Sequence, residues 1–185
     1  RIDRASAEAL VSAVGSDLRS VAAAVAQLLA DTEQAVITQA DVHRYFAGRA
    51  EISGFAVADH CLDGTREAAL GSLRWALETG GAPVLLTSAV ASALRNLGKY
   101  LGARDERLRD AELARRVGVP PWKLKDLGRQ ARGWTAPPLA SAIQLAARAD
   151  AEVKGASGDP GFALEMLVLG VIDCRERSRR PAARP

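Results

Sequence analysis

Residues 83–101, PVLLTSAVASALRNLGKYL, decide the fold class of this chain. Apolar side chains recur there every three or four positions, which is the spacing of one face of an α-helix: Leu86, Val90, Ala93, Leu94, Leu97 and Leu101. Pro83 stands at the first turn, where a missing backbone N–H costs nothing. Gly80 and Gly81 end the helix before it. The stretch therefore predicts one long amphipathic helix.

The same helical spacing continues on both sides of this stretch and predicts an all-α protein. Later helices are expected at about residues 110–117, 120–132, 139–154 and 160–172. Ala and Leu, the strongest helix formers, dominate the apolar content, and aromatic residues make up only 4% of the chain. No segment alternates apolar and polar residues long enough to predict a strand.

Helix caps predict a small bundle at the N-terminus. Ser6 and Ser16 are expected to cap the first two helices, and Thr38 with Asp41 resembles a capping box for the third. Residues 48–53 are expected to form a flexible joint. The chain is thus predicted to comprise a three-helix domain at 1–48, a larger helical domain at 50–175 and a disordered basic tail at 176–185.

The positive charge of the chain is concentrated in two places. Residues 175–185 carry five Arg and one Glu, or +4, so the other 174 residues of this +3 chain sum to −1. Residues 95–132 hold eleven Lys and Arg against five Asp and Glu, a local excess of +6. This stretch is the candidate basic surface. Its acidic residues, interleaved with Arg, predict a solvated, salt-bridged face: Asp105, Glu106, Asp110 and Glu112.

No residue pattern of a catalytic, cofactor or metal site occurs in the sequence. There is no phosphate-binding loop of the G-x-x-x-x-G-K-[ST] type. Cys61 and Cys174 fit no metal or redox spacing and are expected to be buried apolar residues. His43 and His60 are too few for a His-rich metal site. We predict no catalytic residue, no cofactor, no metal and no membrane span.

One segment has the outline of a helix-turn-helix. Residues 111–125, AELARRVGVPPWKLK, combine a short helix, a Gly-containing turn and a second helix. That second helix carries Lys123, Lys125, Arg129 and Arg132. It could read DNA, or the pair could be an ordinary helical hairpin packed in a bundle, since only charge indicates base contacts. For the chain as a whole, a helix-turn-helix DNA-binding protein is therefore one possible function, and an enzyme accessory domain of unknown role is another.

Arg19 is a second candidate contact. It follows VGSDL in the first turn of a predicted helix, where it could reach a phosphate or a carboxylate. The helix dipole favours anions at that end, so the position of this Arg is not explained by helix stability. An ordinary surface arginine is the simpler alternative.

Five segments, taken in order, resemble the C-terminal part of the delta subunit of bacterial DNA polymerase III clamp loaders. They are residues 10–31, with a G-x-D-L-R helix start, and then 37–46, 54–78, 111–132 and 149–169. The resemblance spans about residues 5–172. It implies an AAA+ lid at 1–48 and a collar domain at 50–175.

The resemblance also implies a function without catalysis. Collar domains of this family pack with those of other loader subunits, and the sliding clamp is opened by an N-terminal domain that is missing here. The chain would be a cytoplasmic assembly piece that is neither an ATPase nor a polymerase. Its binding to DNA would be weak and non-specific at most. Arg19 matches a nucleotide-sensing arginine of ATPase relatives, but we assign it no such role.

The resemblance places the partner interface on the larger domain. The helices predicted at 83–101, 139–154 and 160–172 are expected to bury the collar core. Their flanks are expected to leave apolar side chains exposed for neighbouring subunits.

Overall fold

The computed structural model describes residues 2–14, 18–31, 36–38, 41–42, 50–106, 108–156 and 158–179. Within these ranges the secondary structure is helical, and the β-structure consists of one isolated bridge between Ile2 and Ile37. The prediction of an all-α fold is confirmed. None of the helices in these ranges is both long and apolar enough to cross a membrane.

The described residues of the N-terminal unit include two long helices, α1 (Arg4–Val14) and α2 (Leu18–Asp31). The prediction that Ser6 caps α1 is wrong. The helix begins at Arg4, and the Oδ1 atom of Asp3, the residue before it, accepts the Ser6 N–H at 2.7 Å. Ser16, the predicted cap of α2, lies outside the described residues.

The capping box at Thr38 is confirmed. The Thr38 N–H donates to the Asp41 carboxylate at 3.0 Å, and the Asp41 N–H donates to the Thr38 hydroxyl at 3.2 Å. The helix it starts is described only at residues 41–42. These N-terminal elements bury a small apolar cluster of their own: Leu10, Ala24, Leu28, Ile37 and Val42.

Seven further helices follow among the described residues. They are α3 (Ala50–Asp63), α4 (Arg66–Glu78), α5 (Pro83–Ala103), α6 (Asp110–Val117), α7 (Leu124–Ala131), α8 (Ala136–Ala151) and α9 (Pro160–Arg179). A 3₁₀ turn, Pro121–Lys123, leads into α7, and a wide turn, Glu152–Ala156, follows α8. The predicted joint at 48–53 is wrong in its second half, since α3 already begins at Ala50. Residues 50–52 contain no Gly or Pro to delay the helix.

One apolar core joins these helices. Its fully buried leucines come from four of them: Leu62, Leu73, Leu86, Leu94, Leu97 and Leu164. Helix α5 runs through the middle and packs against α3, α8 and α9. Gly54 allows α3 to lie close to α5, because a Cβ at this position would lie only 3.1 Å from the Ala89 side chain.

The helices are aligned so that the bundle has two distinct ends. Helix α9 runs antiparallel to α4, since Arg66 pairs with Asp173 at 2.7 Å and Arg74 with Glu165 at 3.0 Å. The first end therefore gathers the C-terminus of α4 and the N-termini of α5 and α9. The second end gathers the C-termini of α3, α5 and α9 with the N-terminus of α8.

The prediction of a disordered tail from residue 176 is wrong for residues 176–179, which are helical. Helix α9 continues to Arg179 because tertiary contacts hold its last turns. The Ser178 hydroxyl accepts the Thr135 N–H at 3.2 Å, and Glu176 lies 3.8 Å from Arg66. Residues 180–185 lie outside the described residues.

Candidate partner-binding surfaces

The helix-turn-helix outline is a helical hairpin packed into the bundle. Gly118 makes the turn after α6 with a left-handed φ of 85°. Helix α7 then turns one face into the core, burying Leu124, Leu127, Gln130 and Ala131. The structure therefore favours the bundle alternative over a free recognition helix.

The basic side chains of this hairpin are mostly used inside the molecule. Arg129 forms an ion pair with Asp63 at 2.5 Å, and this carboxylate raises the pKa of the guanidinium. The Lys123 ammonium lies over the Phe55 ring, 5.0 Å from its centre. Lys125 and Arg132 are exposed, and so is Arg129 despite its ion pair. These cations are sufficient only for weak, sequence-independent attraction to phosphate.

Part of the rest of the basic stretch is paired with its own acidic residues, as predicted. Arg116 lies 2.9 Å from Glu106, and Arg109 lies 3.2 Å from Glu112. Hydrogen bonds from Arg109 hold the pKa of Glu112 below its usual range. These ion pairs interleave opposite charges along this part of the stretch.

Both cysteines are buried, as predicted. Burial raises the pKa of the Cys61 thiol to about 12 and also raises that of Cys174. The His60 ring lies 3.1 Å from the Thr65 hydroxyl, whereas His43 falls outside the described residues. Across the described ranges, no three His, Cys, Asp or Glu residues come together as a metal site.

Arg19, the remaining candidate contact, is exposed on the first turn of α2. Nothing in its described surroundings identifies a ligand.

A small aromatic and acidic pocket lies between α3 and the hairpin. It has a volume of about 180 Å³ and is lined by Phe55, Asp59, Trp122 and Lys123 among others. Asp59 accepts a hydrogen bond from Gln130 at 3.3 Å, and burial raises its pKa. Because the protein's own lysine lies against both rings, this pocket is already partly filled.

The first end of the bundle carries exposed apolar side chains, and we call it the apolar end. Phe162 is 60% exposed and Met166 is 50% exposed, one turn apart on α9. Val84 and Leu85 are exposed at the start of α5, and Trp75 is exposed near the end of α4. Four of these five residues lie on helices for which an exposed apolar flank was predicted; Trp75 was not predicted.

Comparison with known proteins agrees with the resemblance read from the sequence. The family model described as "DNA polymerase III delta subunit, C-terminal domain" matches residues 51–171. No curated protein matches. Among solved structures, the Bacillus subtilis DNA clamp loader delta protein superposes with a TM-score of 0.72 and 22% identity, covering 93% of this chain.

The structural match covers 51% of the Bacillus protein, so this chain spans about half the length of that relative. At 22% identity the likeness shows a shared fold. The family model, which covers well over half of the chain, shows the family. The chain therefore belongs to the family formed by the C-terminal domains of DNA polymerase III delta subunits.

Proposed function

We propose that this chain is the assembly part of a clamp-loader delta subunit. Residues 1–48 form the lid, and residues 50–175 form a collar that binds other loader subunits in the cytoplasm. The chain performs no catalysis, and contact with the sliding clamp belongs to the other half of the delta protein. The single observation that carries the proposal is the apolar end, located on the domain that matches the family.

The exposed side chains at this end support a protein partner. Large apolar and aromatic side chains are enriched at the centres of protein interfaces, where their burial supplies most of the binding energy. Because Phe162 and Met166 are already about half buried, their further burial by a partner is worth about 1–1.5 kcal/mol for each side chain, roughly half the value for full burial. The ion pair of Arg74 and Glu165, the residues next to Trp75 and Met166 in the sequence, provides a polar rim beside these side chains.

Co-purification tests this proposal. The chain is mixed with the other loader subunits, and complexes are read by size exclusion and mass. The double variant Phe162→Glu, Met166→Glu is expected to lose co-elution, because two carboxylates cannot be buried unpaired. The matched control is Leu29→Glu on α2, which changes a leucine that is also more than half exposed and should leave the complex intact.

Retention of the complex by the double variant would move the interface away from the apolar end. Failure of the unmodified chain to enter any complex would contradict the assembly function itself. Circular dichroism of both variants checks that their helices are intact.

A further inference from the structure

The pocket between α3 and the hairpin, which we call the aromatic pocket, contains a cation of the protein itself. The Lys123 ammonium lies 5.0 Å from the centre of the Phe55 ring and 5.4 Å from the centre of the Trp122 ring. A positive charge within about 6 Å of a ring face is attracted by the π electrons of the ring. Both rings are only partly buried. The pocket therefore shows which kind of chemical group its two rings favour.

This lysine does not neutralise the pocket. Asp59 and Asp126 line it, against the single cation Lys123. Asp126 lies 3.9 Å from Arg129, but Asp59 forms no ion pair with any residue that the structure describes. Asp59 accepts one long hydrogen bond from Gln130, at 3.3 Å. The pocket thus places a carboxylate without a cationic partner beside two rings that favour cations.

The helices present these groups to the same space. Phe55 and Asp59 are one turn apart on α3, so they lie on one face of that helix. Gln130, which is 3% exposed, holds the Asp59 carboxylate from the opposite wall. The volume of about 180 Å³ is below the roughly 300–1,000 Å³ of pockets that hold drug-sized ligands. The pocket therefore suits the head of one side chain rather than a whole small molecule.

We propose that the aromatic pocket binds an arginine side chain of a partner protein, which displaces the Lys123 ammonium from the two rings. A guanidinium group is planar, stacks on aromatic faces and donates two parallel hydrogen bonds to one carboxylate. Phe55 and Trp122 provide the faces, and Asp59 provides the carboxylate. The ammonium of Lys123 has neither the plane nor the paired donors, and it leaves Asp59 unpaired.

The state of Asp59 in the chain alone supports a binding role. Although water reaches this residue, burial of its carboxylate raises its pKa. Groups that a fold keeps in an unfavourable environment are concentrated at functional sites. The two carboxylates of the pocket also repel phosphate, so nucleic acid is not expected as the occupant.

A titration of the whole chain followed by NMR tests the proposal. The probe is a glycine peptide with one central arginine and blocked ends; its counterpart carries citrulline, the neutral isostere of arginine. The arginine peptide is expected to bind with a millimolar Kd and to shift the indole N–H signal of Trp122, assigned with Trp122→Phe. The citrulline peptide should leave that signal in place, because it has no charge. The exposed Trp75 is the internal control for non-specific contact with an aromatic ring.

Two variants are expected to change the affinity in opposite directions. Lys123→Met removes the competing charge and keeps the aliphatic stem, so it should raise the affinity about threefold or more. Asp59→Asn removes the charge that pairs with the guanidinium, so it should lower the affinity about threefold or more. The matched controls are Lys125→Met and Asp105→Asn, at exposed residues that do not line the pocket. Both controls should leave the affinity unchanged.

Three results would overturn the proposal. The first is no response of Lys123→Met to the arginine peptide at millimolar concentration, and the second is unchanged affinity in Asp59→Asn. The third is a lysine peptide that binds Lys123→Met as tightly as the arginine peptide does, which would remove the assignment to a guanidinium. Loader subunits take no part in this titration, and no exposed side chain of the apolar end lines the pocket. The pocket and the apolar end can therefore fail independently.

Discussion

The Nε atom of Arg175 lies 2.7 Å from the carbonyl oxygen of Leu62, a residue 113 positions earlier in the chain. The same carbonyl accepts the indole N–H of Trp134 at 3.1 Å. A Cβ at Gly64 or at Gly133 would come within 2.5 or 2.9 Å of the Arg175 guanidinium. The Leu62 carbonyl at the end of α3 therefore accepts hydrogen bonds from both α9 and the segment before α8. Gly64 and Gly133 leave the space that the Arg175 side chain occupies.

Arg175→Met removes this donor while keeping most of the aliphatic stem. A hydrogen bond from a charged group contributes about 1.5–3 kcal/mol to stability. Since Trp134 still serves the Leu62 carbonyl, we expect the free energy of unfolding to fall by about 1–2 kcal/mol, measured by urea denaturation. Arg132→Met, at an exposed arginine, should change it by less than about 0.5 kcal/mol. Equal effects of the two variants would contradict the role of Arg175.

Gly64→Ala and Gly80→Ala separate backbone strain from crowding. Both glycines have a left-handed φ, 71° and 84°, which costs another residue roughly 1–2 kcal/mol. Only at Gly64 does the added Cβ also meet a side chain, that of Arg175. We expect Gly64→Ala to be the more destabilising variant in thermal unfolding. The difference between the two should shrink in the Arg175→Met background; a constant difference would exclude coupling between Gly64 and Arg175.

Asp59→Asn is expected to stabilise the chain at neutral pH. Burial raises the folded-state pKa of Asp59, so the folded chain holds this proton more tightly than the unfolded chain. This tighter proton binding adds to the free energy of unfolding. The addition is fully present below the unfolded pKa of about 4 and is lost as pH rises through the folded pKa. Asparagine is neutral throughout and can still accept the hydrogen bond from Gln130.

The advantage of Asp59→Asn should therefore be present at pH 7 and decline as the pH is lowered towards 4. It should be small, because Asp59 as a whole is an exposed residue and water screens much of its charge. Unfolding curves at several pH values measure it, with Asp105→Asn as an exposed control. A benefit that grows on acidification would have the wrong sign.

Cys61 is expected to resist thiol reagents in the folded chain. With its pKa raised to about 12 by burial, only about one thiol in ten thousand is ionised at pH 8. Cys174 is also buried, so neither cysteine should react with a disulfide reagent until urea unfolds the protein. If the folded chain released one equivalent of the reagent's coloured thiol immediately after mixing, one of the two cysteines would be accessible, contrary to this prediction.

Elements with strong periodicity could be predicted from the sequence. The long helix expected at 83–101 is found as Pro83–Ala103, with its apolar positions in the core. The reciprocal bonds of Thr38 and Asp41 were also predictable, because a capping box is local in sequence. Local chemistry was sufficient in both places.

The errors lie where distant contacts decide the outcome. The last turns of α9 have no apolar period, and they are held by Arg66, Leu62 and Thr135, all far away in the sequence. At the start of α1, Asp3 and Ser6 are both good caps, and the sequence could not rank them.

The apolar end and the aromatic pocket differ in how far the sequence could reveal them. An exposed apolar flank on α5 and α9 was predicted, but the exposure of Trp75 was not. Trp75 lies outside the apolar face of α4, so its exposure could have been predicted from the helical spacing. The pocket could not be predicted, because Phe55 and Trp122 are far apart in the sequence and no local pattern shows that they line the same space.

Helix α5 runs without interruption for 21 residues between the two ends of the bundle. At 1.5 Å per residue, it spans about 30 Å. The two ends of the domain are therefore held at a fixed separation by one rigid helix, so a protein bound at the apolar end contacts the start of α5 and not its last turns.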